Sequence, residues 1–460
     1  MNSIKNYIKN NLLFLVLISQ PLLDILAYFQ DGSAFSIAGY VRLVYTIGIP
    51  LYTLIVLKEK KKFFVIMCVI ATFCALHIAN GFRVGYISLF ADVKYMLLVF
   101  HMPILLISFI YLFEKADLKN QVIRGLKVNA YLIIVVFFLT YTLKSGAYTY
   151  DDYELGWTGW YLIPNAQSII MVSLLPFIVY FFIKYFKKYF SIPMLGIIFM
   201  YIENGTKSAY YSMVLILIGF SCYVVIEYFI KKEKKFPVYN VLMFVLLAVI
   251  TVGAYNYSPR EVLDRNEETA REEEQDELDA ETEDEELDEA TILERVDKEL
   301  LDRFGKKRVL EAYGDDVTSY TFADMRLKKR IYGKLVWEES DLLTKLVGFE
   351  YPQMQHKSEN FDLENDLPAI LYYYGYIGAI GYICLMGYFV LRLIMMLLRK
   401  FKDSLNLLNF TILITWVLQL GLAAYTGYIL RRPNVSFYLI VVLLLVYCRT
   451  ESIRKVKGEA

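Results

Sequence analysis

The chain lacks most of what marks a soluble enzyme of a familiar kind. Its 460 residues carry 48 basic and 48 acidic side chains, so no excess of one sign argues for nucleic acid as a partner. The five cysteines (Cys68, Cys74, Cys222, Cys384 and Cys448) all fall inside apolar runs and form no Cys-x-x-Cys pair. That excludes the spacing of a zinc site or a disulfide framework. Histidine is scarce, and His77 and His101 lie in apolar stretches, where packing suits them better than ligation. There is no Walker A loop, no His-Glu-x-x-His pair and no nucleophile elbow, which removes the usual ATPases, zincins and serine hydrolases. No metal and no cofactor is expected. Nor does any apolar run carry the arginine ladder of a voltage sensor.

What the chain has is apolar length. Hydrophobic residues make up 57% of it, and the charges sit in short clusters between apolar runs of about 20 residues, the length that crosses a bilayer. The runs are continuously apolar, so they read as helices and not as barrel strands. The fold class expected is all-α and polytopic, with about 12 transmembrane helices. They are placed near 11–29, 37–57, 63–80, 94–113, 128–144, 161–183, 191–204, 206–230, 237–256, 366–390, 407–428 and 434–448. The 191–204 segment is short enough to be a half-span. The first run resembles a signal peptide but has no small-x-small cleavage site, so it is kept as an uncleaved anchor.

Basic clusters orient the spans. Lys5 and Lys9, Lys58 with Lys60–Lys62, Lys115 to Lys127, Lys184 to Lys188, Lys231 to Lys235, Arg399 to Lys402 and Arg449 to Lys457 all fall on one side of that list. The positive-inside rule makes this side cytoplasmic. A multi-pass plasma-membrane protein with both termini cytoplasmic follows. Three sections result: nine helices over 1–256, an extracytoplasmic loop over 257–365, and three helices with a tail over 366–460.

The loop is charged in two different ways. Residues 261–290 hold 17 Asp or Glu, opposed by Arg265 and Arg271 alone. This acidic insert, extending over 261–300, reads as a solvated insertion, or as a surface for cations or a basic partner. From about 320 to 340 the spacing predicts an amphipathic helix with Arg326, Arg330 and Trp337 on one face. Two guanidinium groups one turn apart can hold a phosphate or pyrophosphate; the alternative is contact with lipid headgroups.

Other outward charges sit at span ends, where ionisable groups are costly: Arg42, Arg83, Asp92, Lys94, Glu203, Lys207, Glu364, Asp366, Arg431 and Arg432. In Asn-Gly-Thr-Lys-Ser-Ala-Tyr (204–210), Thr206, Lys207 and Ser208 open a helix, an arrangement that suits an anion or, more plainly, a cap with a snorkelling lysine. Asp362, Glu364 and Asp366 alternate with apolar residues before the next span. A carboxylate there could act as general base on a sugar hydroxyl, or simply favour the helix dipole. His356, near Glu359, is a further candidate that reads equally as a surface histidine. Gly375, Gly378 and Gly381 are expected to serve close helix packing.

Taken in order, these motifs resemble the O-antigen ligase and polymerase superfamily, especially its members in Gram-positive polysaccharide synthesis. The order is Gly-Thr-Lys-Ser, a long outer loop, Arg-x3-Arg, an aromatic residue, a Gly-Phe turn, a polar trio, a span with Gly-x-x-Gly and a final hairpin. The resemblance covers roughly 190–445 by motif and the whole chain by topology. It implies transfer of a glycan from a polyprenyl-pyrophosphate carrier to a glycan acceptor, for capsular, secreted or cell-surface polysaccharide, with no nucleotide sugar and no metal. Other polysaccharide-assembly proteins are further candidate partners. By position, Arg326 and Arg330 resemble the loop arginines that hold pyrophosphate, and Lys207 the basic residue of the Thr-x-Ser motif. Many ligases of the family place His-Asn ten residues before the Gly-x-x-Gly. Here Asn365 stands ten before Gly375 and Glu364 replaces the histidine, a departure that points from ligase towards polymerase with Glu364 as base. Arg42, Arg83, Arg431, Asn365 and His356 complete the expected substrate contacts, and Asp366 is the second catalytic carboxylate. A single displacement would invert the anomeric carbon.

Two other classes compete. A flippase of lipid-linked oligosaccharide suits a dozen spans, but it should show two related halves, and none is apparent. A receptor whose acidic loop binds a partner leaves the outer cations without purpose.

Overall fold

The computed structural model describes residues 2–30, 36–231, 237–269, 298–314, 324–357, 359–399 and 401–455. Most of the acidic insert, over 270–297, lies outside the described residues, as does the stretch 315–323.

Backbone groups in lipid have no solvent to bond, and the apolar runs accordingly form helices. In chain order these are α1 (Asn2–Tyr28), α2 (Ile37–Val56), α3 (Lys61–Val84), α4 (Leu89–Leu112), α5 (Lys115–Leu143), α6 (Pro164–Phe186), α7 (Ser191–Glu203), α8 (Lys207–Lys231) and α9 (Val238–Ala254). Past a short turn, helix resumes over 259–269. The loop adds α10 (Lys298–Phe304), α11 (Lys306–Tyr313), α12 (Met325–Glu339) and α13 (Leu342–Val347), then a two-stranded hairpin at 355–360. Three long helices follow, with one short turn of helix (Phe401–Ser404) between the first two: α14 (Asp366–Arg399), α15 (Leu407–Tyr425) and α16 (Pro433–Lys455). The protein is an all-α polytopic membrane protein.

Eleven of the described helices are long and apolar enough to cross a membrane. The expected twelfth, α7, has 13 residues. At 1.5 Å per residue it covers about 20 Å, short of the roughly 30 Å hydrocarbon core. It still runs end to end in direction, because Trp157 N–H donates to the Glu203 carbonyl at its far end (2.7 Å).

Alternate helices run up and down, so the loops before α2, α4, α6, α8, α14 and α16 gather at one end. Among the described residues, the lysine clusters lie at the other, where Lys115 stands 5.6 Å over the Tyr447 ring. Two helices sit at the centre. The windows spanning α6 and α16 are each 72% buried, against 17–56% for the others. From Val435 to Val446 no residue of α16 is more than 2% exposed. This helix touches α1, α4, α5, α6, α14 and α15, so its first residues are delivered to the middle of the loop end.

The loop is keyed into the bundle at a helix break. Gly375, inside α14, has φ +64 and ψ −171, and Gly348, after α13, has φ +91. A Cβ on Gly375 would lie 2.4 Å from the Leu346 carbonyl, and one on Gly348 would lie 2.0 Å from that of Tyr373. Neither position admits a side chain. The break frees the Tyr372 carbonyl, which accepts from Phe349 N–H (3.1 Å). This revises the role expected of the glycine triplet. Gly375 breaks the helix to admit the loop, a Cβ on Gly378 would lie 3.3 Å from the Phe73 ring, and Gly381 faces open space.

The amphipathic helix forms close to where it was expected, as α12, capped by the Asp324 carboxylate accepting from Arg326 and Leu327 N–H. It buries Ile331, Tyr332, Leu335 and Val336, and Tyr332 stacks on Phe361 at 4.0 Å. Trp337 packs against Tyr372 of α14 at 5.3 Å.

Candidate functional site

At the loop end the central helices surround an open cavity of about 370 Å³. Asp24 comes from α1, Arg42 from α2, Tyr95 from α4, Tyr161 and Gln167 from the start of α6, Tyr351 and Asp362 from the loop, and Arg431, Arg432 and Asn434 from the start of α16. The first turns of α6 and α16 both reach this space. The free N–H groups of those turns carry partial positive charge towards it.

The three cavity arginines differ in how far they are committed. Arg42 is 8% exposed. It pairs with Asp24 at 2.6 Å and donates to the Gln20 side chain at 3.2 Å. Arg431 is 4% exposed. Its Nε donates to Asp366 Oδ1 (3.0 Å), and its Nη1 donates to Tyr95 Oη (2.6 Å) and Asp362 Oδ1 (2.9 Å). Its Nη2 donates to the carbonyls of Leu363 and Glu364. Burial works against its charge, but Tyr95, Asp362 and Asp366 outweigh this and hold its pKa well above the ordinary arginine value. Arg432 is different. It lies 4.3 Å over the Tyr428 ring and lines the cavity, and it forms no ion pair among the described residues.

The carboxylates sort in the same way. Asp366 is 0% exposed. It accepts from Arg431 and from three successive backbone N–H groups, Tyr428, Ile429 and Leu430, at 2.7–3.1 Å. Gly427 and Tyr428 take φ +75 and +66 to present those groups. A Cβ on Gly427 would fall 1.6 Å from the Glu364 carbonyl. Asp366 therefore fixes the α15–α16 turn to the start of α14. It is not part of the cavity lining, and its carboxylate is taken up by this anchoring. Glu364 also stands off the cavity. Its Oε2 lies 2.6 Å from Arg326 Nε and its Oε1 lies 3.3 Å from Lys329 Nζ. Asp362 does line the cavity. Its Oδ1 takes Arg431 and Tyr373 Oη (2.7 Å), and its side chain keeps 21% exposure.

The remaining expected residues are spread around the loop end. Arg330 is exposed on α12. Arg83 pairs with Asp341 at 2.7 Å and donates to Asn80, tying α3 to α13. Lys207 pairs with Asp264 at 3.1 Å. Thr206 caps α8 through Ala209 N–H and, with Ser208, bonds Ser168 at 2.5 and 2.7 Å. His356 lies in the hairpin and Asn365 just before α14. None of these seven lines the cavity. The structure thus joins Arg42 and Arg431 at the cavity, and Arg326 to Glu364 beside it. Asp24, Tyr95, Tyr161, Gln167, Tyr351 and Asn434 were not anticipated. Asp24 had a signal, a lone carboxylate in an apolar span facing Arg42 on the next span. The tyrosines and amides had none, since they resemble ordinary span-end residues.

Compared with known families, residues 5–451 match the family described as O-antigen ligase like membrane protein. The match covers nearly the whole chain, and the protein belongs to that family. At family level it is a membrane glycan ligase or polymerase, working with a lipid-linked glycan donor and an acceptor in a membrane. No curated protein and no solved structure matches the chain.

Proposed function

We propose that this member of the O-antigen ligase-like family polymerises glycan from a polyprenyl-pyrophosphate carrier at the loop-end cavity, on the extracytoplasmic face. The observation that carries the reading is Arg432, a cavity arginine with no carboxylate partner among the described residues, beside two helix N-termini and the carboxylate of Asp362. The basic clusters gather at the opposite end of the bundle, which supports an outward-facing loop.

The acceptor hydroxyl gives its proton to Asp362, and its oxygen attacks the anomeric carbon of the donor sugar. The bond from that carbon to the pyrophosphate oxygen breaks. Charge then grows on the departing pyrophosphate, where Arg432 and the positive ends of α6 and α16 meet it. A single displacement of this kind inverts the anomeric centre. Asp362 takes the role that position had given to Glu364. Glu364 is instead the internal counter-ion of Arg326 and Lys329. Glu364 adjoins the turn that carries Tyr428, since a Cβ on Gly427 would meet its carbonyl, and Arg432 lies over the Tyr428 ring at 4.3 Å, so Arg326 and Lys329 stand near the rim. A pyrophosphate arriving there competes with Glu364 for Arg326 and Lys329, and the exposed Arg330 adds charge at the rim.

The test uses purified protein in detergent with lipid-linked oligosaccharide from the native host, the products being resolved by size. A ladder of longer glycans is expected from the wild type, falling roughly 100-fold or more for Arg432→Ala. A single transfer to a different acceptor would make the protein a ligase. Movement of the lipid-linked sugar across liposomes without product would make it a flippase.

A further inference from the structure

Two residues of the cavity lining each bury a polar atom that has no partner among the described residues. Tyr161 is 2% exposed and Gln167 is 3% exposed. Neither Tyr161 Oη nor Gln167 Oε1 has a hydrogen-bond partner, and both residues line the cavity. Buried polar groups are nearly always paired, and leaving one unpaired is unfavourable. Two such groups just behind the cavity lining, each within reach of a small side-chain rotation, therefore mark a place where a ligand can complete the bonding.

The surroundings define that ligand. Asp24 lies close enough to Tyr161 to act on it electrostatically, and burial with Asp24 and Tyr438 nearby raises the phenol's pKa well above the ordinary tyrosine value. Tyr161 therefore presents a neutral hydroxyl that donates or accepts. Gln167 Oε1 accepts. Asn434 lines the same space and reaches Asp24 Oδ1 at 3.4 Å. Arg42 is already committed to Asp24 and Gln20, and Arg431 to its own acceptors, so among the described residues this wall offers no free cation to an anion. Aromatic rings lie elsewhere in the lining. Tyr95 and Tyr351 stack at 4.0 Å, 15° from parallel, and both line the cavity. Hydroxyl-reading polar atoms, an aromatic platform and no spare positive charge together suit an uncharged polyol ring.

We propose that the Tyr161–Gln167 wall is a subsite for an uncharged sugar ring, distinct from the pyrophosphate position at Arg432. This rests on the glycosyl-transfer reading of the cavity and deepens it: the cavity has a neutral half at the end of α1 and the start of α6 and an anionic half at the start of α16.

The experiment measures binding and turnover separately. The probe is the free oligosaccharide released from the host's lipid-linked unit by mild acid and dephosphorylated, with inorganic pyrophosphate as the second probe. Calorimetric titration of purified protein in detergent should show oligosaccharide binding that weakens about tenfold in Tyr161→Phe and in Gln167→Leu, one lost hydrogen bond each. Pyrophosphate binding should stay within twofold in both. Arg432→Ala should show the reverse. Tyr161→Phe removes only an unpaired oxygen, so its melting temperature should equal or exceed the wild type's, and this separates a ligand role from a structural one. Oligosaccharide binding that is absent in the wild type, or unchanged in both variants, overturns the subsite. Binding that falls as expected in a protein that transfers no glycan keeps the subsite and overturns the transferase reading instead.

Discussion

Arg431 and Arg432 are consecutive, carry the same charge and line the same cavity, yet they belong to two different regions. Arg431 is part of a buried joint: Asp366, Asp362, Tyr95 and two loop carbonyls surround its guanidinium. Arg432 belongs to an open rim, resting on the Tyr428 ring. A buried ion pair is weak evidence of net stability, but removing one partner strands the other in a poorly solvating medium. The joint can therefore hold the loop and two helix starts in place because Arg431 and Asp366 are used up within it, whereas Asp362 gives it one oxygen and keeps 21% of its side chain exposed at the cavity. The rim can receive a charged ligand because its charge is not.

The largest expected effect breaks the joint. Arg431→Ala or Asp366→Ala should destabilise the protein by about 3–5 kcal/mol, visible as loss of monodisperse protein after extraction and a lowered melting temperature. A well-folded Arg431→Ala protein that lost only pyrophosphate binding would dissolve the distinction between the two arginines. Next in size is the comparison of carboxylates. Asp362→Asn should lower kcat by roughly 10²–10⁴, whereas Glu364→Gln should leave kcat within a few fold, because it removes a counter-ion and not a base. The opposite ranking, read from a steady-state transfer assay, would return the base to Glu364.

That reversal shows where sequence reasoning stops. Apolar run length and the sidedness of lysines made the bundle legible, because lipid imposes both. The amphipathic pattern of 325–339 was legible because period and polarity agree. The outward charges were legible as a set, since each is costly near the membrane. Their division into joint and rim was not, because it depends on pairings far apart in the chain: Arg431 with Asp366, and Arg326 with Glu364. Asp362, Glu364 and Asp366 alternate along one short stretch, and only the turn at Gly427–Leu430, folding back onto Asp366, separates the one that lines the cavity from the one that anchors the turn. The break at Gly375 was hidden for the same reason, since its partner is Gly348.

A smaller effect is expected at Lys207, the residue that the Gly-Thr-Lys-Ser motif had singled out. Its partner is Asp264 at 3.1 Å, with half of the lysine exposed. Exposed pairs contribute about 0–1 kcal/mol. Lys207→Ala should therefore change neither the melting temperature by more than a degree or two nor pyrophosphate binding. A loss of pyrophosphate affinity matching that of Arg432→Ala would extend the rim to α8. Thr206 and Ser208 should behave as cap and packing residues, because their hydroxyls face Ser168.

The smallest effect concerns a third kind of arginine–carboxylate pair, neither buried joint nor open rim. Arg83 and Asp341 meet at 2.7 Å with side chains 42% and 48% exposed. Asp341 also caps α13 through Thr344 N–H (3.0 Å). Hydrogen bonds from Arg83, then from Thr344, lower its pKa below the ordinary 3.8. A depressed carboxylate contributes stability that is complete above its unfolded pKa and is lost as pH falls through its folded one. The contribution should therefore be intact at pH 7 and begin to fade only below about pH 4. The measurement is the melting-temperature gap between wild type and Asp341→Asn, which should be small at pH 7 and shrink further at pH 3. A gap of equal size at both values would show that the carboxylate's charge does not hold α13. The pairing with Arg83 would then be incidental to the joining of α3 and α13.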